Sequence, residues 1–264
     1  MIQRIVHVND YLTKSGLSAS DFTINPYVGC PHDCIYCYAS YMQQYSGHKE
    51  KWGKFIDIKY CDKKLDTQKL KGKSLTLSSV TDCYNEEEAN FSITRSILTQ
   101  LIGVDVSITI ITKSDLVLRD LDILKQLKKV KVAFSINTHD ENIKNQMDKA
   151  PSIRRRLNAL KTLHENGIQT VMFVCPIMPG LTDFKELVRL SKDFVDCYWF
   201  DKLNLRGANK EATFEYIKNS HPKLLPLYNS IFNKEDYSYW HRFSEEIDKF
   251  CKENKINYQS HIKR

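Results

Sequence analysis

The chain has 264 residues, 42% hydrophobic and 27% charged, an ordinary globular composition that excludes a disordered or collagen-like chain. At this length a core forms without disulfide staples, and one large domain, two small ones or a single α/β barrel are all allowed. The formal net charge of +7 is a moderate basic excess that favours anionic partners such as nucleic acid or phosphates without identifying one.

Residues 1–20 read as a lead-in. Every short apolar run in MIQRIVHVNDYLTK is broken by polar residues, and it has no cleavage-site pattern. No apolar stretch long enough for a membrane span follows. The expectation is a cytoplasmic protein with no membrane contact, whose eight cysteines stay reduced. FTINPYVG (22–29) reads as a strand running into a cysteine loop, and 38–50 as a weakly amphipathic helix. SLTLSSV (74–80) is a predicted strand, and 86–102 a helix with acidic residues in its first turn. VSITIIT (106–112) is a strand, 115–128 a helix and VKVAFSIN (130–137) a strand. ENIKNQMDK and 152–166 read as helices split by Pro151. IQTVMFVCPIM (168–178) is a strand introduced by Gly167, 182–195 a helix and CYWFDKLNLR (197–206) a strand. The remainder is mostly helical to about residue 255 and rich in Tyr, Trp and Lys.

Strands alternating with helices of this length imply parallel βαβ units. About six strands are too few for a closed eight-stranded barrel, so an open, partial parallel α/β barrel of the TIM-like kind is expected. The organisation is a lead-in at 1–20, a core at 21–206 and a helical C-terminal extension at 207–264 packed on the same core.

Three cysteines are crowded into Cys30-Pro-His-Asp-Cys34-Ile-Tyr-Cys37, a C-x3-C-x2-C spacing, while Cys61, Cys83, Cys175, Cys197 and Cys251 are scattered. Scattered thiols usually act as small buried hydrophobes. Three soft thiolates on a loop after a strand suit iron–sulfur or zinc. Structural zinc needs a fourth ligand, for which His32 or His48 is available, but no second cysteine knuckle is present. A four-iron cube held by three cysteines leaves one iron open to an external ligand. Pro31 and Asp33 are turn formers that let a short loop wrap such a group.

This motif, with Tyr36 as the aromatic before the third cysteine, resembles the radical S-adenosylmethionine (SAM) superfamily. TINPYVGCPHDCIYCYA (23–39), SSVTDCYNEEE (78–88), ITKSDLVLRDLDIL (111–124), VAFSINT (132–138), APSIRRRLNALKTLHENGI (150–168) and PIMPGLTD (176–183) are similar, in this order, to its spore photoproduct lyase-like branch, often described as DNA repair photolyases. The resemblance implies a partial β6/α6 barrel in which Cys30, Cys34 and Cys37 hold a 4Fe-4S cluster. The open iron would bind SAM, cleaved reductively to methionine and a 5′-deoxyadenosyl radical, with electrons from a reductant such as a flavodoxin or ferredoxin. It places Tyr36 against the adenine, Ser78, Ser79, Thr81 and Asp82 near the SAM amino group, and Lys113 at its carboxylate. Ser135 and Asn137 match ribose or carboxylate contacts, and Gly180 lies in a segment beside the adenine. In spore photoproduct lyase proper a cysteine at the end of the second strand donates hydrogen. Ser79 stands at that place here, and Cys83 is the nearby thiol that could take the role.

Other features have plainer readings. Arg154, Arg155 and Arg156 read as a solvated helix face, with phosphate binding the alternative. Tyr237, Tyr239, Trp240 and Phe243 read as core packing, with base stacking the alternative. Three functions stand beside one another: a radical SAM enzyme of unknown substrate, a DNA repair lyase of the same chemistry, and a non-catalytic metal-stabilised binding module.

Overall fold

The computed structural model describes residues 1–262. Its strands in chain order are β1 (Ile2–His7), β2 (Leu12–Lys14), β3 (Phe22–Ile24), β4 (Tyr27–Val28), β5 (Phe55–Tyr60), β6 (Lys73–Leu77), β7 (Val106–Thr112), β8 (Lys129–Ser135), β9 (Gln169–Ile177), β10 (Cys197–Lys202) and β11 (Tyr258–Ser260). Eight of them form one sheet in the order β11-β10-β9-β8-β7-β6-β3-β2. Only the β2–β3 pair is antiparallel. The sheet is open, and the six central parallel strands β3 and β6–β10 are the expected partial barrel.

The strand faces follow the two-residue period. Val132, Phe134, Met172, Val174, Tyr198 and Phe200 pack with helix residues such as Leu160, Leu163, Leu187 and Val188 in one large core. Ile111, Ala133, Val171 and Cys197 lie on the opposite face, as a row of cross-strand neighbours joined by Phe173 and Trp199. This second face lines the interior of the curved sheet.

Several elements differ from the sequence expectation. The strand over 22–29 divides between the two sheets, because β4 pairs antiparallel with β5 instead of continuing beside β6. The 86–102 helix breaks at Ser92, whose φ of 52° no right-handed helix allows, leaving Glu88–Phe91 and Ile93–Gln100. The 38–50 segment is a 3-10 helix over Tyr38–Tyr45. The lead-in, given no elements above, contains strands. Its first strand joins β5 and β4 in a three-stranded sheet, where Arg4 makes a two-pronged ion pair with buried Asp57 at 2.8 Å for each contact. The tail holds helices Ala208–Ser220, Leu225–Phe232 and Ser238–Glu253 before β11 extends the main sheet beside β10. Trp240 is buried, and Tyr239 and Phe243 pack against the core, while Tyr237 is exposed.

Candidate active site

Because the central strands are parallel, their carboxyl ends share one edge, where parallel α/β folds place ligands. The cysteine loop follows β4 at this edge. Lys113 directly follows β7, Ser135 ends β8, and Cys175 and Asp201 stand near the ends of β9 and β10.

The loop is held by backbone contacts to distant chain. Ile35 N–H donates to Met147 O at 3.0 Å, and Lys149 N–H to His32 O at 2.7 Å. Thr81 Oγ1 donates to Gly29 O at 2.6 Å. Gly29 (φ 86°) passes so close to β5 that a Cβ there would stand 2.3 Å from Phe55 O. Behind the loop lies a buried ionic network. Asp148 accepts from the Tyr36 hydroxyl at 2.8 Å, from Arg156 Nη2 at 3.0 Å and from Ala150 N–H at 3.0 Å, with Lys144 Nζ at 3.6 Å. Arg156 is 0% exposed and also donates to Pro151 O and Ser135 O. Burial alone would raise the Asp148 carboxyl, but Arg156, Lys113, Tyr36 and Lys144 outweigh it and hold it below the usual carboxylate range. The arginine run is therefore not uniformly a solvated face. Arg155 pairs on the surface with Asp115, but Arg156 is a structural cation of the core.

Cys30, Cys34 and Cys37 are half-buried free thiols. Burial, followed by Asp82 and Cys37, pushes Cys30 up to about 12. Burial and Asp148 raise Cys34 further, and Cys37 is raised mainly by burial. The three thiols interact electrostatically. Yet among the described residues no three His, Cys, Asp or Glu side chains close around a single ion. A four-iron cube spreads its cysteines more widely than one ion does, so the donor set suits a cube better than a single zinc. Neither candidate fourth ligand joins the cysteines. His48 is stacked on Phe55 and bonded to Asp57 at 2.8 Å, and His32 is buried 3.5 Å from Asp82. Two buried donors without partners fit an absent ligand: the Trp52 indole N–H, and the side-chain amide of Asn137, which is 2% exposed.

The other expected site residues divide into two groups. Lys113 and Tyr36 come together, and Asn137 is buried just after β8. The Lys113 ammonium stands 5.9 Å over the Tyr36 ring. Burial would lower its pKa, but Cys34 and Asp148 outweigh that and raise it, so it remains a cation. Tyr36 turns its hydroxyl toward Asp148 and its carbonyl toward Asn209. Ser135 is buried at the end of β8. The second group is committed to shaping the strand end after β6. Ser78 adopts a φ of 73° and accepts from Cys83 N–H at 2.8 Å. Ser79 accepts from Asn25, and its carbonyl accepts from the Tyr38 hydroxyl. Asp82 binds Thr112 Oγ1 at 2.7 Å, Lys113 N–H at 2.8 Å and Tyr84 N–H at 2.9 Å. Gly180 (φ 74°) admits Leu224, since a Cβ there would lie 2.7 Å from that side chain.

Cys83, the thiol offered above as a hydrogen donor, lies away from the strand-end opening. It is 0% exposed and packed into the main core. The sequence reading also missed Cys175, Asp201 and Tyr38. Burial raises the Cys175 thiol, with Asp201 adding to the effect and Lys113 opposing it. The Tyr38 hydroxyl, right after the third cysteine, is raised by burial and then by Cys37 and Cys175, although the residue as a whole is half exposed. The alternation of Val171, Phe173 and Cys175 was a legible signal for an inward-facing thiol.

The radical SAM superfamily model matches residues 24–191, and the chain belongs to that superfamily of enzymes. An uncharacterized protein of Methanocaldococcus jannaschii is 36% identical over 247 residues, covering 93% of this chain and 91% of its own length. An uncharacterized protein of Acidianus two-tailed virus is 28% identical over 268 residues, covering 93% of this chain and 86% of its own. Among solved structures, a spore photoproduct lyase mutant with bound AdoMet and dinucleoside spore photoproduct superposes with a TM-score of 0.62 at 16% identity, over 83% of this chain and 67% of that one. Streptococcus suis SuiB bound to S-adenosylmethionine matches with a TM-score of 0.57 at 14% identity, over 91% and 50% of the two chains. At these identities the two structures establish the shared fold. No helix among the described residues is long and apolar enough to cross a membrane.

Proposed function

We propose that Cys30, Cys34 and Cys37 hold a 4Fe-4S cluster whose open iron binds SAM, and that the enzyme acts on a substrate admitted at the strand ends. When bound, the cluster and SAM supply one-electron cleavage of the C5′–S bond to methionine and a 5′-deoxyadenosyl radical. The chain's part is to bind, orient and exclude water. Lys113 offers a cation to the SAM carboxylate, and the unpartnered Asn137 amide offers donors to the carboxylate or ribose. Tyr36 walls the site from the side of the adenine. Ser78, Ser79, Thr81 and Asp82 shape the strand end that receives the amino group, and the turn at Gly180 borders the same mouth. A small one-electron donor of the flavodoxin or ferredoxin kind, in a cytoplasmic setting, would serve the cluster.

One observation carries this reading. Three free thiols share one loop at the carboxyl edge of an open parallel sheet, with Lys113 beside Cys34 and Cys37, in a chain of this superfamily. Anaerobic reconstitution with iron and sulfide, then addition of dithionite and SAM, tests it. The expected result is a brown protein that releases 5′-deoxyadenosine. The reading is overturned if Cys30→Ala, Cys34→Ala and Cys37→Ala variants release it equally. A DNA repair lyase is the second reading, favoured by the fold shared with spore photoproduct lyase. It predicts DNA binding that weakens steeply with salt. Ser79 in place of a thiol argues that its hydrogen-transfer step would differ.

A further inference from the structure

The segment Lys51–Phe55 lies as a strap against the cysteine loop. Gly53 has a φ of 92°, and a Cβ there would stand 2.3 Å from Asp33 Oδ1 and 2.9 Å from Asp33 Cα. Lys54 pairs with Asp33 across the same contact. Strap and loop are thus in touch at Asp33, midway between Cys30 and Cys37. Trp52 precedes this contact and is held from behind. Its ring meets Phe55 edge to face, 5.7 Å between centroids at 89°, and Phe55 stacks on His48 at 3.8 Å. His48 is fixed in turn by Asp57. The ring is therefore wedged, yet its indole nitrogen is buried and bonded to nothing. A buried tryptophan N–H normally finds an acceptor, because leaving it unpaired forfeits its bond to water. The sulfur it approaches, without closing a hydrogen bond, is that of Cys37.

We infer that Trp52 donates its indole N–H to the Cys37 sulfur, or to the adjoining sulfide, once the cluster is in place, and thereby raises the cluster's reduction potential. This rests on the cluster assignment made above. A donor to sulfur stabilises the more negative, reduced cluster more than the oxidised one. Trp52 is a positioning and tuning residue, since it touches the cofactor's ligand and not the substrate.

The test uses reconstituted full-length protein and reads the cluster, not turnover. With tryptophan labelled by 15N at the indole, the reduced wild-type cluster should show a nitrogen hyperfine coupling in pulsed paramagnetic resonance. Trp52→Phe keeps the ring and removes the donor. It should load iron as the wild type does, lose the coupling and become harder to reduce. At a fixed potential its ratio of reduced to oxidised cluster should fall about three- to tenfold, where tenfold corresponds to about 59 mV for one electron. If Trp52→Phe does not load iron, the labelled wild type decides alone. A loaded cluster without nitrogen coupling overturns the Trp52 inference and leaves the cluster assignment standing. A protein that binds no iron at these cysteines overturns both.

Discussion

Arg156→Met is the most informative single perturbation of the cysteine loop's support. Arg156 is fully buried and makes three hydrogen bonds, to Pro151 O at 2.8 Å, Asp148 at 3.0 Å and Ser135 O at 3.1 Å. Methionine fills much of the volume but leaves Asp148 buried with weaker compensation from Lys144 and Tyr36. Breaking a buried pair from one side costs about 3–5 kcal/mol, because the remaining charge keeps its desolvation penalty. At about 2–4 °C per kcal/mol for a chain of this size, the melting midpoint should fall by about 6–20 °C. Asp148→Asn should cost a similar amount, and the double variant should recover about 2 kcal/mol of the summed loss, since both act on one contact. The pH dependence has a definite sign. The depressed Asp148 carboxyl contributes stability that is present above its unfolded value and lost as pH falls through its lower folded value. In Arg156→Met the carboxylate is a liability that protonation relieves. The gap between variant and wild type should therefore be widest near about pH 7 and narrow toward about pH 4.5. Circular dichroism melts of the metal-free protein at the two pH values measure this. A midpoint drop below about 2 °C, or a gap that does not change with pH, would refute the network's role.

Gly53→Ala should destabilise the fold by about 3 kcal/mol, combining a left-handed backbone with a Cβ driven into Asp33. Gly47→Ala is its control, because φ is 70° there but nothing lies within 4 Å, and it should lose only about 1–2 kcal/mol. Chemical denaturation of the two variants separates the terms, and equal losses would mean that strap and loop do not touch. Lys113→Met on the reconstituted protein should weaken SAM binding about 10- to 100-fold by calorimetry, the worth of one charge-assisted bond. Unchanged affinity would remove Lys113 from the carboxylate. Cys83→Ala should cost about 1–2 kcal/mol through a small core cavity and leave 5′-deoxyadenosine release intact. Retained stability with a selective loss of hydrogen transfer to product would restore Cys83 as the donor.

The central strands were legible because parallel strands covered on both faces read as near-continuous apolar runs, as in VSITIIT and MFVCPI. The three-stranded sheet was not. All but one residue of β1 is exposed, so its sequence carries no buried face, and β5 hides an acidic residue, Asp57, whose partners lie elsewhere in the chain. The strand β11 is three residues long in a charged tail, too short for any period to register. The break at Ser92 comes from a positive φ at a residue that gives no local warning. Arg156 is different. Ile153, Arg156, Leu160 and Leu163 all fall on the buried stripe of one helix, so helical spacing already placed that arginine inward. Counting it as one of three consecutive charges concealed this, because adjacent helix positions face different directions.

The same contrast separates the cysteine motif from its site. The motif is local, and eight residues suffice to state it. Its geometry is set by partners far along the chain: Met147 and Lys149 on one side, Phe55 against Gly29 on another, and Lys54 and Lys149 both paired with Asp33 within the loop. None of these contacts uses a cysteine sulfur, so the loop has protein anchors that are separate from the groups that would hold a cluster. A zinc finger differs, since its ligands converge only as the ion binds and folding and loading are one event. With anchors of this kind the expectation is the reverse, folding first and loading second. Removing the cluster should therefore leave most of the fold's melting transition in place, whereas Arg156→Met or Gly53→Ala should lower it even when no iron is present.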